Sequence, residues 1–474
     1  MRRFRLLLLA MLFTSQAFAQ VTTEGREFWL GFMENSEPDI QLEIYLSANQ
    51  QANVEIVAPR GTFRRTVTVP AGSARFVSVP ANEYMPIEEG KFNMGLKINS
   101  DVPISVYALN KRRFSADATV VLPTTALGKE YFVTAHAEPP NDIIEGSRES
   151  ELLILAVQDD TEIEVIPTVR TVGGRLPNVP FTITLDAGET YLLKSQSLSG
   201  DLSGSYVRSI STNSDDCKNI AVFGGNVFTN VGGCGAARDH LLEQMFPIST
   251  WGKNFLYVPY ETRQGGDYVK IIASEDNTTI NISGMNPIPM NRGQVYRIKA
   301  LDGVRNVSAD KPISFAQFSR SQECDGVNSD PFFILVSPLE QRIRKVTFNA
   351  FTGSEIDTYF LTLITEAGKS DEVYLDGSNV SRQFRTLGGA SYASMQITEG
   401  NHTIDAPEGV IAFVYGYGNL ESYGYSAGVA LENLNLKIQG DDEYISIIQD
   451  EACLNADIVF TANYIVPVGE APLF

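Results

Sequence analysis

Along this chain apolar and polar residues alternate over short stretches, with the period of two that marks half-buried strands. Four signals built on that alternation recur in one order. The first is an apolar strand, a polar turn and a second strand, at residues 46–56, 155–165 and 272–282. Its Asn, Asp and Gln tips suit a hairpin turn, because short polar side chains bond locally to the backbone. The second is a glycine turn that opens a strand, at Gly72, Gly188, Gly293 and Gly389. In three copies a tyrosine follows three residues later, as Tyr191, Tyr296 and Tyr392, and the first copy has Arg75 there. The third leads through a turn into a buried strand, at residues 100–107, 215–223, 309–315 and 406–413. The fourth is a linker carrying Pro123, Pro247 or Pro338.

Each copy holds about six to eight short strands in roughly 100 residues, which is the density of a β-sandwich. Amphipathic helical patterns are nearly absent, and the one candidate, residues 239–245, is about two turns long. A four-bladed propeller is the competing architecture, but its repeats run ~40 to 50 residues. The pattern therefore predicts an all-β tandem array of about four related β-sandwich-like modules. Their expected bounds are 20–127, 128–252, 253–341 and 342–437. Residues 438–474 read as a linker and the start of a truncated immunoglobulin-like or PKD-like module around Cys453. That start implies further C-terminal modules of the same precursor.

Residues 1–19 read as a secretory signal peptide. Arg2, Arg3 and Arg5 precede an apolar run from Leu6 to Phe13, and Ala17 and Ala19 supply the small residues of a cleavage site. The run is too short for a span of about 20 residues, and no longer one follows, so no membrane insertion of the mature chain is expected. The expected location is secreted or cell-surface. The net charge of −20 becomes more negative when the signal arginines leave. That disfavours nucleic acid and anionic membranes, which require a positive footprint, and is accounted for by solubility.

Chemistry is sparse. The three histidines, His136, His240 and His402, lack metal-ligand spacing, and no nucleophile elbow, phosphate loop or dinucleotide fingerprint is present. The reading is no catalytic residue, no metal and no cofactor. Residues 232–235 are glycine-rich without the context of a phosphate loop and read as a cysteine-stapled loop. The acidic turns Asp159-Asp160 and Glu275-Asp276 lack calcium-loop spacing and read as solvated tips. Among Cys217, Cys234, Cys324 and Cys453, the expected disulfide is Cys217 with Cys234, flanking one strand. Five Asn-x-Ser/Thr triplets, beginning at Asn277, Asn281, Asn306, Asn379 and Asn401, are glycan candidates only in a eukaryotic host.

The run Asp239-His-Leu-Leu-Glu-Gln-Met-Phe-Pro-Ile-Ser-Thr-Trp-Gly252, continued by residues 255–259, 267–278 and 330–341, resembles the N-terminal domain of the IgGFc-binding protein family. Its exported bacterial members, often from Bacteroidetes, carry PKD-like repeats after this domain. The resemblance implies a non-catalytic binding or adhesion module that contacts an extracellular protein or a mucin-like glycan. The alternative is a structural stalk, an extended array with no ligand of its own. Asp239, His240, Glu243, Gln244 and Trp251 fall at the junction of the second and third modules. There Trp251 is expected to bury, and the polar residues to satisfy linker backbone groups. For ligand contact the candidates are Tyr415, Tyr417, Tyr423 and Tyr425, since exposed aromatic patches mark contact surfaces and Tyr is enriched at interfaces. The competing reading of these four is aromatic strand pairs flanked by turns.

Overall fold

The structure, a computed structural model, describes residues 20–36, 39–210, 218–353 and 355–434. The expected signal segment 1–19 and the expected start of a further module after residue 437 lie outside the described residues.

Strands dominate, and they fall into four sets of eight. The first set is β1 (Glu24–Leu30), β2 (Gln41–Ala48), β3 (Ala52–Val57), β4 (Arg64–Val69), β5 (Ser73–Val79), β6 (Gly90–Phe92), β7 (Leu96–Arg112) and β8 (Ser115–Val121). The second is β9 (Glu130–Phe132), β10 (Ser150–Ala156), β11 (Thr161–Ile166), β12 (Phe181–Leu185), β13 (Thr190–Lys194), β14 (Tyr206–Ile210), β15 (Ile220–Thr229) and β16 (Asp239–Gln244). The third is β17 (Asn254–Tyr257), β18 (Asp267–Ala273), β19 (Thr278–Ile282), β20 (Ile288–Met290), β21 (Val295–Leu301), β22 (Arg305–Ala309), β23 (Ile313–Phe318) and β24 (Phe333–Val336). The fourth is β25 (Ile343–Ala350), β26 (Ile356–Glu366), β27 (Tyr374–Leu375), β28 (Ser378–Asn379), β29 (Arg385–Leu387), β30 (Ala390–Ile397), β31 (Gly400–Gly418) and β32 (Glu421–Gly428).

Each set builds a two-layer antiparallel sandwich by one plan. In the second module β14 pairs with β11 and β9, while β15 pairs with β10 and β16 in the other layer. The third repeats this with β22 and β23. In the first and fourth modules one long strand, β7 or β31, serves both layers. The strand β6 leaves its own module and pairs with β13 of the next.

Local chemistry explains the turns. Gly72, Gly188 and Gly293 have positive φ, where a side chain would be strained, and each opens a strand as its sequence suggested. Asp160 and Asn277 adopt the same left-handed region at the polar tips. Those tips do not close hairpins, however. β10 and β11, like β18 and β19, lie in different sheets, and β2 and β3 pair with different stretches of the long β7, so the turn carries the chain across the edge of the sandwich. Residues 239–245 are not helical either. Asp239–Gln244 is strand β16, because pairing along β15 overrides a weak local preference.

The four modules close into a ring. The last strand of each faces the centre: β8 packs on β16 and β32, and β24 packs on both of those. The two ends of the described region meet, with Thr22 bridged to Ala430 and the Leu431 amide bonded to the Val21 carbonyl at 2.8 Å. The apolar core is continuous across modules: one cluster runs through all four, reaching Tyr268, Phe318 and Leu335 of the third, and another joins the third to the fourth. Burial from both sides explains strands such as β10, Ser-Glu-Leu-Leu-Ile-Leu-Ala, which is wholly buried and shows no alternation. The joints are tight. A Cβ on Gly128 would sit 2.6 Å from Pro247, and one on Gly252 2.4 Å from Pro338, so glycine and proline pack as a recurring pair.

Candidate functional sites at the ring axis and the outer seam

The sequence motif lies at the ring axis. One edge of β16 pairs with β15, and the other faces β8, a strand of a different module. An edge buried without partners would leave amides unsatisfied. Side chains of β8 supply the acceptors at alternate positions: Ser115 Oγ for the His240 amide at 3.1 Å, Asp117 Oδ2 for Leu242 at 2.9 Å, and Thr119 Oγ1 for Gln244 at 2.8 Å. In return Gln244 Oε1 takes the Leu122 amide at 2.9 Å, and Glu243 Oε1 takes the Leu335 amide of β24 at 3.1 Å. Trp251 is buried, donates Nε1–H to the Phe246 carbonyl at 3.1 Å and lies near the Phe132 ring.

Asp239 and His240 do not form a relay. Asp239 Oδ1 accepts the backbone amide of His240, while His240 Nδ1 lies 3.0 Å from the Asn226 carbonyl. Burial lowers His240 to about 4, keeping it uncharged at neutral pH. Burial likewise raises Glu243 to about 8 and Asp117 well above the carboxylate range, against the opposing hydrogen bonds from backbone amides.

The cysteine pairing differs from the expected one. Cys234 is bonded to Cys324 of the next module, with Cα atoms 5.1 Å apart, and so is not paired with Cys217, which lies outside the described residues. The reason is topological: the β15–β16 and β23–β24 loops occupy equivalent places in adjacent modules and meet at one end of the ring. The glycine-rich loop beside Cys234 does form an anion-binding turn, but the protein fills it. Gly232 and Gly233 donate their amides to Glu138, the latter at 3.1 Å. Nearby Lys270 is fully buried and donates to Asp201 Oδ2 at 2.7 Å, the Ala135 carbonyl at 2.6 Å and Ser203 Oγ at 3.1 Å. Burial lowers Lys270 to about 8. It would raise Asp201, yet the charges of Lys270 and Arg297 outweigh it and hold that carboxyl well below its usual range.

The four candidate contact tyrosines are not exposed. Tyr415, Tyr417, Tyr423 and Tyr425 are all buried, at 0 to 3% exposure. Both faces of the β31–β32 pair are covered. Tyr415 stacks among Tyr260, Phe332 and Phe360, and its hydroxyl accepts the Glu261 amide at 3.0 Å. Tyr425 lies against Tyr107 of the first module, and Tyr423 takes the Phe351 amide on its hydroxyl at 2.9 Å.

Exposed apolar surface lies elsewhere. Among the described residues seven large hydrophobics are exposed, and five of them, Ile87, Val172, Leu176, Val179 and Leu198, lie on three loops at the seam of the first two modules. The loops are tied together. Thr171 Oγ1 donates to Glu89 at 2.7 Å, the Val172 amide to the Lys194 carbonyl at 2.9 Å, and the Gln196 amide to the Arg170 carbonyl at 2.9 Å. Beside them runs a groove of about 580 Å³ whose walls include Ile40, Met85, Ile87, Phe92 and Met94, with Asp39 and Glu88 among its lining. The sequence signal for this surface was the long, Gly- and Pro-rich β11–β12 connection, in which Val172, Leu176 and Val179 follow no strand alternation.

Among the described residues, no group of His, Cys, Asp and Glu is arranged to hold a metal ion. No helix there is long and apolar enough to cross a membrane.

The chain is similar to known proteins in two respects. The family model described as IgGFc binding protein matches residues 117–416, from within β8 to within β31. A human protein named IgGFc-binding protein is 23% identical over 433 residues. The alignment covers 87% of this chain but only 8% of that protein, so the chain spans a small fraction of its relative.

Proposed function

The chain belongs to the IgGFc-binding protein family, and from that premise we propose that it is a secreted or cell-surface binding module whose contact surface is the seam between its first two modules. The carrying observation is the apolar groove of the first module bordered by the exposed Ile87, beside which Thr171 of the second module bonds Glu89 and brings Val172, Leu176 and Val179 to the same seam. Asp39 and Glu88 line it, on a chain of net charge −20. These features fit a segment of an extracellular protein that presents apolar side chains flanked by Lys or Arg. The ring axis offers no such access, since its motif residues are buried and spent on backbone groups.

The test uses human IgG Fc and purified mucin as immobilised probes for the chain from residue 20 onward. Binding to one of them, weakened tenfold or more by Ile87→Glu, supports the reading. Binding that Ile87→Glu leaves unchanged removes the seam from the proposal, and binding to neither probe removes the assignment of ligand class. The stalk reading is weakened by ring closure. The chain enters at Val21 and leaves at Leu431, side by side, so the ring adds no length to an array.

A further inference from the structure

We propose that the outer edge of β21, in the third module, accepts an added β-strand: an extended segment of another polypeptide that carries a Lys or Arg opposite Tyr296 and apolar side chains beside it. The repeat supplies the template. β13, β21 and β30 are corresponding strands, paired on one side with β10, β18 and β26. The other side of β13 is filled by β6, with Lys91 opposite Tyr191 and Phe92 opposite Thr190. The other side of β30 is filled by β29, with Arg385 opposite Tyr392. Among the described residues no strand pairs with the other side of β21.

Connection length explains the difference. Gly95 stands over Gly188 and donates its amide to that carbonyl at 3.0 Å. Gly204 stands over Gly293 in the same way, since a Cβ on either glycine would lie 2.8 Å from the carbonyl oxygen beneath it. The first module has fifteen residues, 80–94, between β5 and Gly95, which is room for β6. The second has nine, 195–203, between β13 and Gly204. These bond within their own module: the Ser195 amide to the Ser150 carbonyl, the Gln196 amide to the Arg170 carbonyl and the Leu202 amide to Ser150 Oγ.

The register shows which backbone groups are left over. Opposed residues in an antiparallel pair alternate between exchanging both bonds and exchanging none. The Gln294 carbonyl takes the Ala273 amide at 3.4 Å, so Tyr296, opposite Ile271, also bonds inward. Val295 and Arg297 therefore turn their amides and carbonyls to the outer side, and such an edge is a template for another chain. Its charges do not guard it, because Asp201 takes Arg297 at 3.0 Å and Asp142 takes Lys299 at 2.6 Å. A groove of about 710 Å³ runs against β20 and β21, lined by Met285, Pro287, Ile288, Pro289 and Tyr296. The two exposed large hydrophobics outside the seam are Met285 in this groove and Phe76 on β5, the corresponding edge strand of the first module.

This surface is separate from the seam of the first two modules, so either reading can fail alone. The experiment is amide hydrogen exchange at β21 in the chain from residue 20 onward. The probe is a synthetic peptide of residues 86–95, the segment that carries β6. In the free chain the Val295 and Arg297 amides should exchange fast, and those of Tyr296 and Ile298 slowly. Peptide at about ten times its Kd should slow Val295 and Arg297 about tenfold. The same peptide N-methylated at alternate residues keeps its side chains but cannot pair, and should protect neither amide. Met285→Ser, at an exposed position, should weaken peptide binding about fivefold. Protection of Val295 and Arg297 in the free chain overturns the proposal, in favour of a second copy where dilution removes it and of the chain's own residues where dilution does not. Absence of protection by millimolar peptide overturns it as well, as does equal protection by the methylated peptide or binding that Met285→Ser leaves unchanged.

Discussion

The first and fourth modules meet across the point where the ring closes, and the second and third meet across the disulfide. Both pairs share one topology, yet they are held in different ways. In the outer pair a single strand, β7 or β31, runs unbroken through both layers and returns through a two-residue turn, at Phe114 or Leu420, each with positive φ. Their interface is aromatic: Tyr107 packs on Tyr425 at 4.8 Å and donates to the Ala427 carbonyl at 2.6 Å, and Tyr45 packs on Phe351 at 4.3 Å. In the inner pair the corresponding strand is split, as β14 and β15 or β22 and β23, and the return loops are long. Those loops are stapled by Cys234–Cys324, with the buried Lys270 paired to Asp201 nearby and the exposed Arg297 capping the same carboxylate. A continuous strand and a tight hairpin leave few groups to satisfy, so apolar packing suffices. Broken strands and long loops expose backbone and charge, which the inner pair settles with a covalent bond and ion pairs.

The sharpest way to break this comparison is to remove the staple. The disulfide spans a sequence separation of 90. Replacing Cys234 and Cys324 together with Ser should cost about 4–5 kcal/mol in the chain-entropy description, read by urea unfolding. Next comes Lys270→Met, which strips the buried Asp201 of one of its two cations and should cost about 3 kcal/mol. The outer pair should be less sensitive to losing one polar contact. Tyr107→Phe removes a single buried hydroxyl, with an expected loss of about 1–2 kcal/mol. If Tyr107→Phe proved as costly as loss of the disulfide, the distinction between the pairs would fail. The smallest effect is expected from Glu243→Gln, which keeps an acceptor for the Leu335 amide and should change stability by less than about 1 kcal/mol at pH 6. Because burial raises Glu243 to about 8, the wild type should lose stability relative to the variant as pH rises from 6 towards that value and level off above it, measurable as a crossing of the two stability–pH profiles.

Much of the module is legible in the sequence, and little of the assembly is. The alternation of β11, Thr-Glu-Ile-Glu-Val-Ile, and the glycines at positive φ are local facts, so the repeat could be read from them. Ring closure rests on contacts such as Tyr107 with Ala427, separated by 320 residues, for which no local pattern exists. The disulfide was misassigned because nearness in sequence stood in for nearness of equivalent loops. For the tyrosines the sequence leaves an exposed patch and aromatic strand pairs both open, because their strands show no outward sign of a second covering layer. The sign was in the glycines between them. A Cβ on Gly416 would meet Tyr423 at 2.8 Å, and one on Gly424 would meet Phe332 at 2.2 Å, so neighbours crowd both faces. The motif from Asp239 to Gln244 stood out in the sequence, but its use, satisfying the edge of a strand in another module, depends on the ring.

The ring itself is the central claim, and small-angle X-ray scattering of the chain from residue 20 onward tests it most directly. A closed ring of four sandwiches should give a radius of gyration near that of a globular chain of this length, about 23 Å. Four modules strung end to end would give about 40 Å, and that value would contradict the account.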